Sequence, residues 1–155
     1  MTASLNILAL DCGTKCGWAS LSRGFMESGI QEFTLQRGES PGMRFIRFRK
    51  WLGEMLKTTE AVVIAFEQAH HRGGFSTDLL IGMTSRILEE AALRGIETAA
   101  VHSATLKKFA TGSGRADKEA MVNAAEKRWG KRPADDNEAD ALCLLAWAIK
   151  NCGGE

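Results

Sequence analysis

The chain reads as an α/β fold with a mixed five-stranded sheet, and three observations predict it. Short apolar runs of the kind that form buried strands, such as residues 61–66, alternate with segments of helical apolar spacing, such as residues 76–94. Three strand-like segments separated by turn residues come first and suit an antiparallel meander. A meander followed by strand–helix–strand crossovers gives a sheet with antiparallel and parallel neighbours, flanked by helices. With 155 residues, 45% hydrophobic and 25% charged, the composition fits one globular domain over residues 1–155.

Residues 5–10 form an apolar run that stops at Asp11, Cys12, Gly13 and Thr14, as a buried strand stops at a turn. Residues 17–21 and 29–35 read as the second and third strands, with turns at Ser22, Arg23 and Gly24 and around Ser28 and Gly29. Pro41, after Ser40, suits the first position of a helix carrying Met43, Ile46, Phe48, Trp51, Leu52, Met55 and Leu56 at helical spacing. The unbroken apolar run 61–66 suits a strand covered on both faces, and it ends in Glu67. A helix over 76–94 stops at Gly95. A short strand over 97–101, a short helix over 104–110 and a glycine loop, Thr111 to Gly114, come next. Helices over 117–129 and from Asp136 to about Cys152 complete the order.

Bulk properties exclude several classes. No stretch reaches the roughly 20 apolar residues of a membrane span. Residues 1–10 lack the basic region and cleavage site of a signal peptide. Cys12, Cys16, Cys143 and Cys152 match neither zinc spacing nor a disulfide scaffold, so a reducing, cytoplasmic setting is expected. A net charge of +1 means that any nucleic-acid surface must come from uneven charge placement.

Two carboxylates, Asp11 and Glu67, end buried strands, where open α/β sheets bind ligands. If the strands are parallel neighbours, both acids face one crevice, and a divalent cation compensates their charge. Asp140 is the third acid. Asp136 lies one turn before it on the same helix face, and Asn137 lies close to that face. Oxygen ligands from separate segments, with few His or Cys beside them, suit Mg²⁺, with Mn²⁺ able to replace it. Each acid also has a plainer reading. Asp11 before Cys12-Gly13 suits a turn, Glu67 could pair with a base, and Asp136 suits the N-cap of the last helix.

Basic residues gather in three groups: Arg44, Arg47, Arg49 and Lys50; Lys107, Lys108, Arg115 and Lys118; and Lys127, Arg128, Lys131 and Arg132. We favour phosphate contacts for the middle group, where Gly112 and Gly114 would let backbone approach a phosphate, and a solvated surface for the third. His102 suits a local hydrogen bond. Trp18, Phe45, Phe48, Trp51, Trp129 and Trp147 suit core or dimer surface. Leu79, Leu80, Met83 and Ile87 suit a dimer seam or packing on the sheet equally well.

The segments LALDCGTKCGWA (8–19), VVIAFEQ (62–68), ATLKKFATGSGRADKEAMV (104–122) and DDNEADALCLLAWA (135–148) together resemble the RuvC family of Holliday-junction resolvases, in order and over nearly the whole chain. LKKFATGSGRADKE is the most specific part, since many nucleases share only the acids. The resemblance implies an RNase H-like fold, a homodimer and paired symmetrical nicks in four-way DNA junctions. It implies metal ligation by Asp11, Glu67 and Asp140, and phosphate binding and support of catalysis by Lys107 and Lys118. Where the family carries an acid or His three residues before the last Asp, this chain has Asn137, with Asp136 beside it. Either Asn137 ligates through its carbonyl oxygen or Asp136 reaches the metal, and we favour Asp136. The family's aromatic residue after the Glu-Gln pair is replaced by a segment with His70, Arg72 and Phe75, where His70 or Phe75 could stack on bases. The compact length and altered last motif resemble phage-borne members.

Three other functions compete. The Asp11 motif with Gly17 also resembles the first phosphate motif of sugar-kinase and actin-like ATPases, but those duplicate the domain. A junction-binding module that lost its chemistry would explain Asn137. A less selective nuclease for branched or flapped DNA would share every acid.

Overall fold

The computed structural model describes residues 5–69 and 74–153, with the side chain of Phe75 outside the description. Five strands form one sheet: β1 (Ile7–Asp11), β2 (Lys15–Ser22), β3 (Phe25–Glu32), β4 (Val63–Glu67) and β5 (Glu97–Val101), in the order β3-β2-β1-β4-β5. β2 pairs antiparallel with both β1 and β3, while β4 pairs parallel with β1 and β5. The mixed sheet is thus as expected, with β1 at its centre.

The side-chain alternation of β1 and β4 divides the core in two. Ile7, Ala9, Val63 and Ala65 face one side, where Ala139, Ala141, Leu142 and Leu145 of α5 (Asp136–Cys152) pack. Met121 and Ala125 of α4 (Lys118–Trp129) and Leu106 of α3 (Ser103–Thr111) join them. Leu8, Leu10, Ile64 and Phe66 face the other side, against Phe48, Leu52 and Leu56 of α1 (Gly42–Thr59) and Leu79, Met83 and Ile87 of α2 (Phe75–Arg94). Sheet packing therefore accounts for three of the four residues that suited a dimer seam. The alanines on the α5 side let that helix approach the strands closely. Gly17 takes this furthest, since a Cβ there would sit 1.9 Å from the carbonyl oxygen of Asn137.

Some boundaries differ from expectation. β3 begins at Phe25 rather than residue 29, because Arg23 (φ 53°) and Gly24 (φ 84°) make a two-residue turn with both φ values positive, as a tight hairpin requires. Gly29 is not a turn residue. It lies opposite Trp18, whose ring would be 3.1 Å from a Cβ at that position. Beyond the strand, Phe33 is buried with its ring edge-on to Phe48 and Trp51. Pro41 precedes α1, already in helical conformation, rather than opening it. β4 starts at Val63, two residues late, although Val62 already donates its N–H to Asn6 O and accepts from Glu97 N at the sheet's end. Among the described residues no helix is long and apolar enough to cross a membrane, and all four cysteines are free.

Candidate metal centre and nucleic-acid surface

Leu10 of β1 pairs with Phe66 of β4, so the next residues, Asp11 and Glu67, emerge side by side at the same end of the sheet. The second turn of α5 brings Asp140 to them. One carboxylate oxygen from each of Asp11, Glu67 and Asp140 lies within 4.8 Å of the others. Three like charges so close and partly buried oppose one another's ionisation. Burial, then the charges of Asp140 and Glu67, hold the Asp11 carboxyl well above the usual range. Burial, followed by Glu67 and Asp136, raises Asp140 to about 7, against the opposing pull of Lys107. Glu67 is raised by burial and eased by Lys107. A hard divalent cation would remove this repulsion, and the donor set is entirely oxygen.

Glu67 and Asp140 open onto a cleft of about 300 Å³ that Asp136, Lys107 and Lys118 also line, with Asp11 partly buried behind them. Lys118 Nζ lies 3.7 Å from Asp136 Oδ2. The glycine-loop motif explains how the two lysines meet. Gly112, with φ 89°, caps the end of α3 through its N–H to Lys108 O. Asp117 then caps α4 by accepting from Ala120 N at 2.8 Å. The chain thus reverses between Lys107 and Lys118, and both side chains reach one cleft. Gly112 thus has a structural duty as the cap of α3. Lys108 and Arg115 are exposed nearby and do not line the cleft.

The start of α5 corrects one expectation. The N-cap is Asp135, whose side chain accepts from Glu138 N at 2.9 Å, and Asp136 is the first helical residue. Freed from capping, Asp136 faces the cleft. Asn137 donates its Nδ2 to Asp135 Oδ2 at 3.1 Å instead. His70 and Arg72 lie outside the described residues, as does the side chain of Phe75, whose backbone opens α2.

The other basic groups are largely engaged within the molecule. Arg44 Nε donates to Phe33 O, Arg47 pairs with Glu39, and Arg49 binds Glu90 at 2.7 Å. Lys131 pairs with Glu138 at 3.1 Å and Arg132 with Glu126 at 2.7 Å. Arg128 lies over the ring of Trp129.

One anchoring residue had no assigned role from sequence. Glu138 is 3% exposed. Its carboxylate would rise on burial, but the Ala134 N–H, the Ser28 hydroxyl and Lys131 together hold it below the ordinary range. The signal was present: Asp135 and Glu138 stand at the spacing of a capping box, with the glutamate reaching back beyond the cap to Ala134 N.

Comparison with known proteins bears on the fold. No family model matches the chain. A protein of Anaeromyxobacter sp. (strain Fw109-5), the crossover junction endodeoxyribonuclease RuvC, is 28% identical over 95% of this chain and 74% of its own length. The structure of Thermus thermophilus RuvC matches with a TM-score of 0.74 at 19% identity, covering 94% of this chain and 96% of that one. The same protein in complex with a Holliday junction substrate matches with a TM-score of 0.75 at 19% identity, covering 91% and 90%. The yeast mitochondrial Holliday junction resolvase Ydc2 matches with a TM-score of 0.57 at 13% identity over 92% and 78%. The structural likenesses establish the fold, which is RNase H-like.

Proposed function

We propose, on the premise that this chain belongs to the RuvC family, that it is a divalent-metal-dependent endonuclease that resolves four-way DNA junctions by paired symmetrical nicks. The observation that carries this is the convergence of Asp11, Glu67 and Asp140 within 4.8 Å beside a cleft lined by Lys107 and Lys118. Acids from two strand ends and a helix, with cations on one side, are what a phosphodiester needs from a protein that forms no covalent intermediate.

Asp11, Glu67 and Asp140 would hold the metal, with Asp136 as the fourth oxygen ligand in place of Asn137. Bound there, Mg²⁺, or Mn²⁺ in its stead, supplies the Lewis acidity that activates water and neutralises the leaving 3′-oxygen. Lys107, half-buried beside Glu67 and Asp140, orients the scissile phosphate. Lys118, largely exposed at the start of α4, meets a neighbouring phosphate oxygen and lies near enough to Asp136 to steady it. Lys108 and Arg115 widen the phosphate-binding margin, and His70, Arg72 and Phe75 contribute to the junction contact. One such domain, over residues 1–155, supplies one nick. Two nicks on opposed strands require a homodimer, acting on DNA in the cytoplasm of a bacterial or phage-infected cell.

Cleavage of a synthetic four-way junction, beside matched linear duplex and flap DNA, with Mg²⁺, Mn²⁺ or EDTA, tests this. Metal-dependent paired nicks in the junction are expected. Equal cutting of all three substrates would replace junction selectivity with a broader branched-DNA nuclease. Tight junction binding without cutting in either metal would leave a binding module.

A further inference from the structure

We propose that Glu138, with Ser28 and Lys131, sets the axial register of α5 against the sheet and so positions Asp136 and Asp140 for metal. The inference rests on the metal-centre reading and names a positioning residue for it. Asp11 and Glu67 need no such device, because they sit at the ends of paired strands whose ladder holds them. Asp136 and Asp140 ride on a helix outside the ladder. Apolar packing of α5 is non-directional, and its sheet side is rich in alanine, so packing alone does not define where along the strands the helix stops.

Glu138 supplies that definition. It stands two residues from each of the two acids and faces away from them. Its Oε2 accepts from Ser28 Oγ of β3 at 2.7 Å and from Lys131 Nζ at 3.1 Å. Its Oε1 accepts from Ala134 N at 2.7 Å. Lys131 Nζ closes the ring by donating to Ser28 Oγ at 2.7 Å and to Ser28 O at 3.2 Å. The clamp therefore ties the edge strand, the loop before α5 and the first turn of α5 to one carboxylate. Gly17 adds a second fixing point, where β2 backbone meets the carbonyl of Asn137. A buried ion pair contributes little net stability over an apolar packing of the same volume, and fixing register is its best-attested use. Groups that orient metal ligands change metal affinity when removed, by about tenfold or more.

The test is direct Mn²⁺ binding to the full chain without DNA, followed by electron paramagnetic resonance, together with junction cleavage against Mn²⁺ concentration. Glu138→Ala is expected to raise the half-saturating Mn²⁺ concentration about tenfold in both assays. Glu138→Gln and Ser28→Ala should shift it in the same direction by less. Cleavage at saturating Mn²⁺ should recover most of the parental rate, and junction affinity in EDTA should not change. Leu56→Ala, in the core on the other face of the sheet, serves as a destabilised control that should leave the half-saturation point alone. A folded Glu138→Ala with parental half-saturation overturns the clamp, as does an equal shift in Leu56→Ala. Should Glu138→Ala fail to fold, Ser28→Ala decides, and an unchanged half-saturation there overturns it. Failure of the parent chain to bind Mn²⁺ in an Asp11-dependent way overturns the metal-centre reading itself. Parental binding with indifferent Glu138 variants overturns only the clamp.

Discussion

Removing one negative charge from the acid cluster should stabilise the metal-free protein while disabling it. Asp140 ionises at about 7 in the fold, against about 3.9 in an unfolded chain. Because the folded value is the higher one, the native state holds the proton more tightly. Its contribution to stability is complete below about pH 3.9 and is lost as pH rises through about 7. Asp140→Asn abolishes that loss. Its advantage over the parent should grow from about 2 kcal/mol at pH 5 to about 4 kcal/mol at pH 8. For a domain of this size that corresponds to a rise in Tm of roughly 10 °C at pH 8. Thermal melts in EDTA at pH 3, 5 and 8 measure it, with the two proteins equal at pH 3. Adding Mn²⁺ at pH 8 should raise the parent's Tm and leave the variant's nearly unmoved. A variant melting at or below the parent in EDTA at pH 8 would refute the account of a charge-strained site.

Four further outcomes are expected. Asp11→Asn should reduce junction cleavage to background while keeping junction affinity in EDTA, measured by gel shift; full activity would remove Asp11 from the centre. Lys118→Ala should slow cleavage roughly a hundredfold and lessen the salt dependence of binding by about one phosphate contact; an unchanged rate and slope would remove it from the DNA surface. Compared side by side, Asp136→Asn should lose cleavage and Asn137→Ala should keep it, since Asp136 lines the cleft and Asn137 bonds to Asp135; the reverse pattern would make Asn137 the ligand. Gly17→Ala should cost about 3 kcal/mol, read as a fall in Tm, because the new methyl meets backbone that cannot step aside; a melt within about 2 °C of the parent would contradict that.

Much of the fold was legible because its central strands announce themselves. An apolar run that ends in a carboxylate, as at Asp11 and Glu67, marks both a buried strand and the end of the sheet where ligands bind. Whether these strands are parallel neighbours was left open by the sequence, and the pairing of β1 with β4 brings the two acids together. The third strand was misjudged because Gly29 has two uses, turning a chain and making room for an indole, and only the partner across the ladder distinguishes them. The cap of α5 was displaced by one residue for a similar reason. Asp135 and Asp136 are equally able to cap, and in the fold Asp135 bonds Glu138 N while Asp136 lines the cleft. Glu138 itself is chemically plain in sequence. Its partners, Ser28 and Lys131, are ordinary surface residue types, and only their meeting across the fold gives them a shared task.

The chain order also gives the acid cluster a schedule. Of the three clustered acids, Asp11 leaves the ribosome first, Glu67 after it and Asp140 last, on a helix that follows every strand and both lysines of the cleft. A nascent chain therefore possesses both lysines of the cleft before it possesses a complete acid cluster. A chain halted ahead of α5 would lack Asp140 and also the helix that covers Ile7, Ala9, Val63 and Ala65. The acid cluster is complete only once α5 has packed on the sheet.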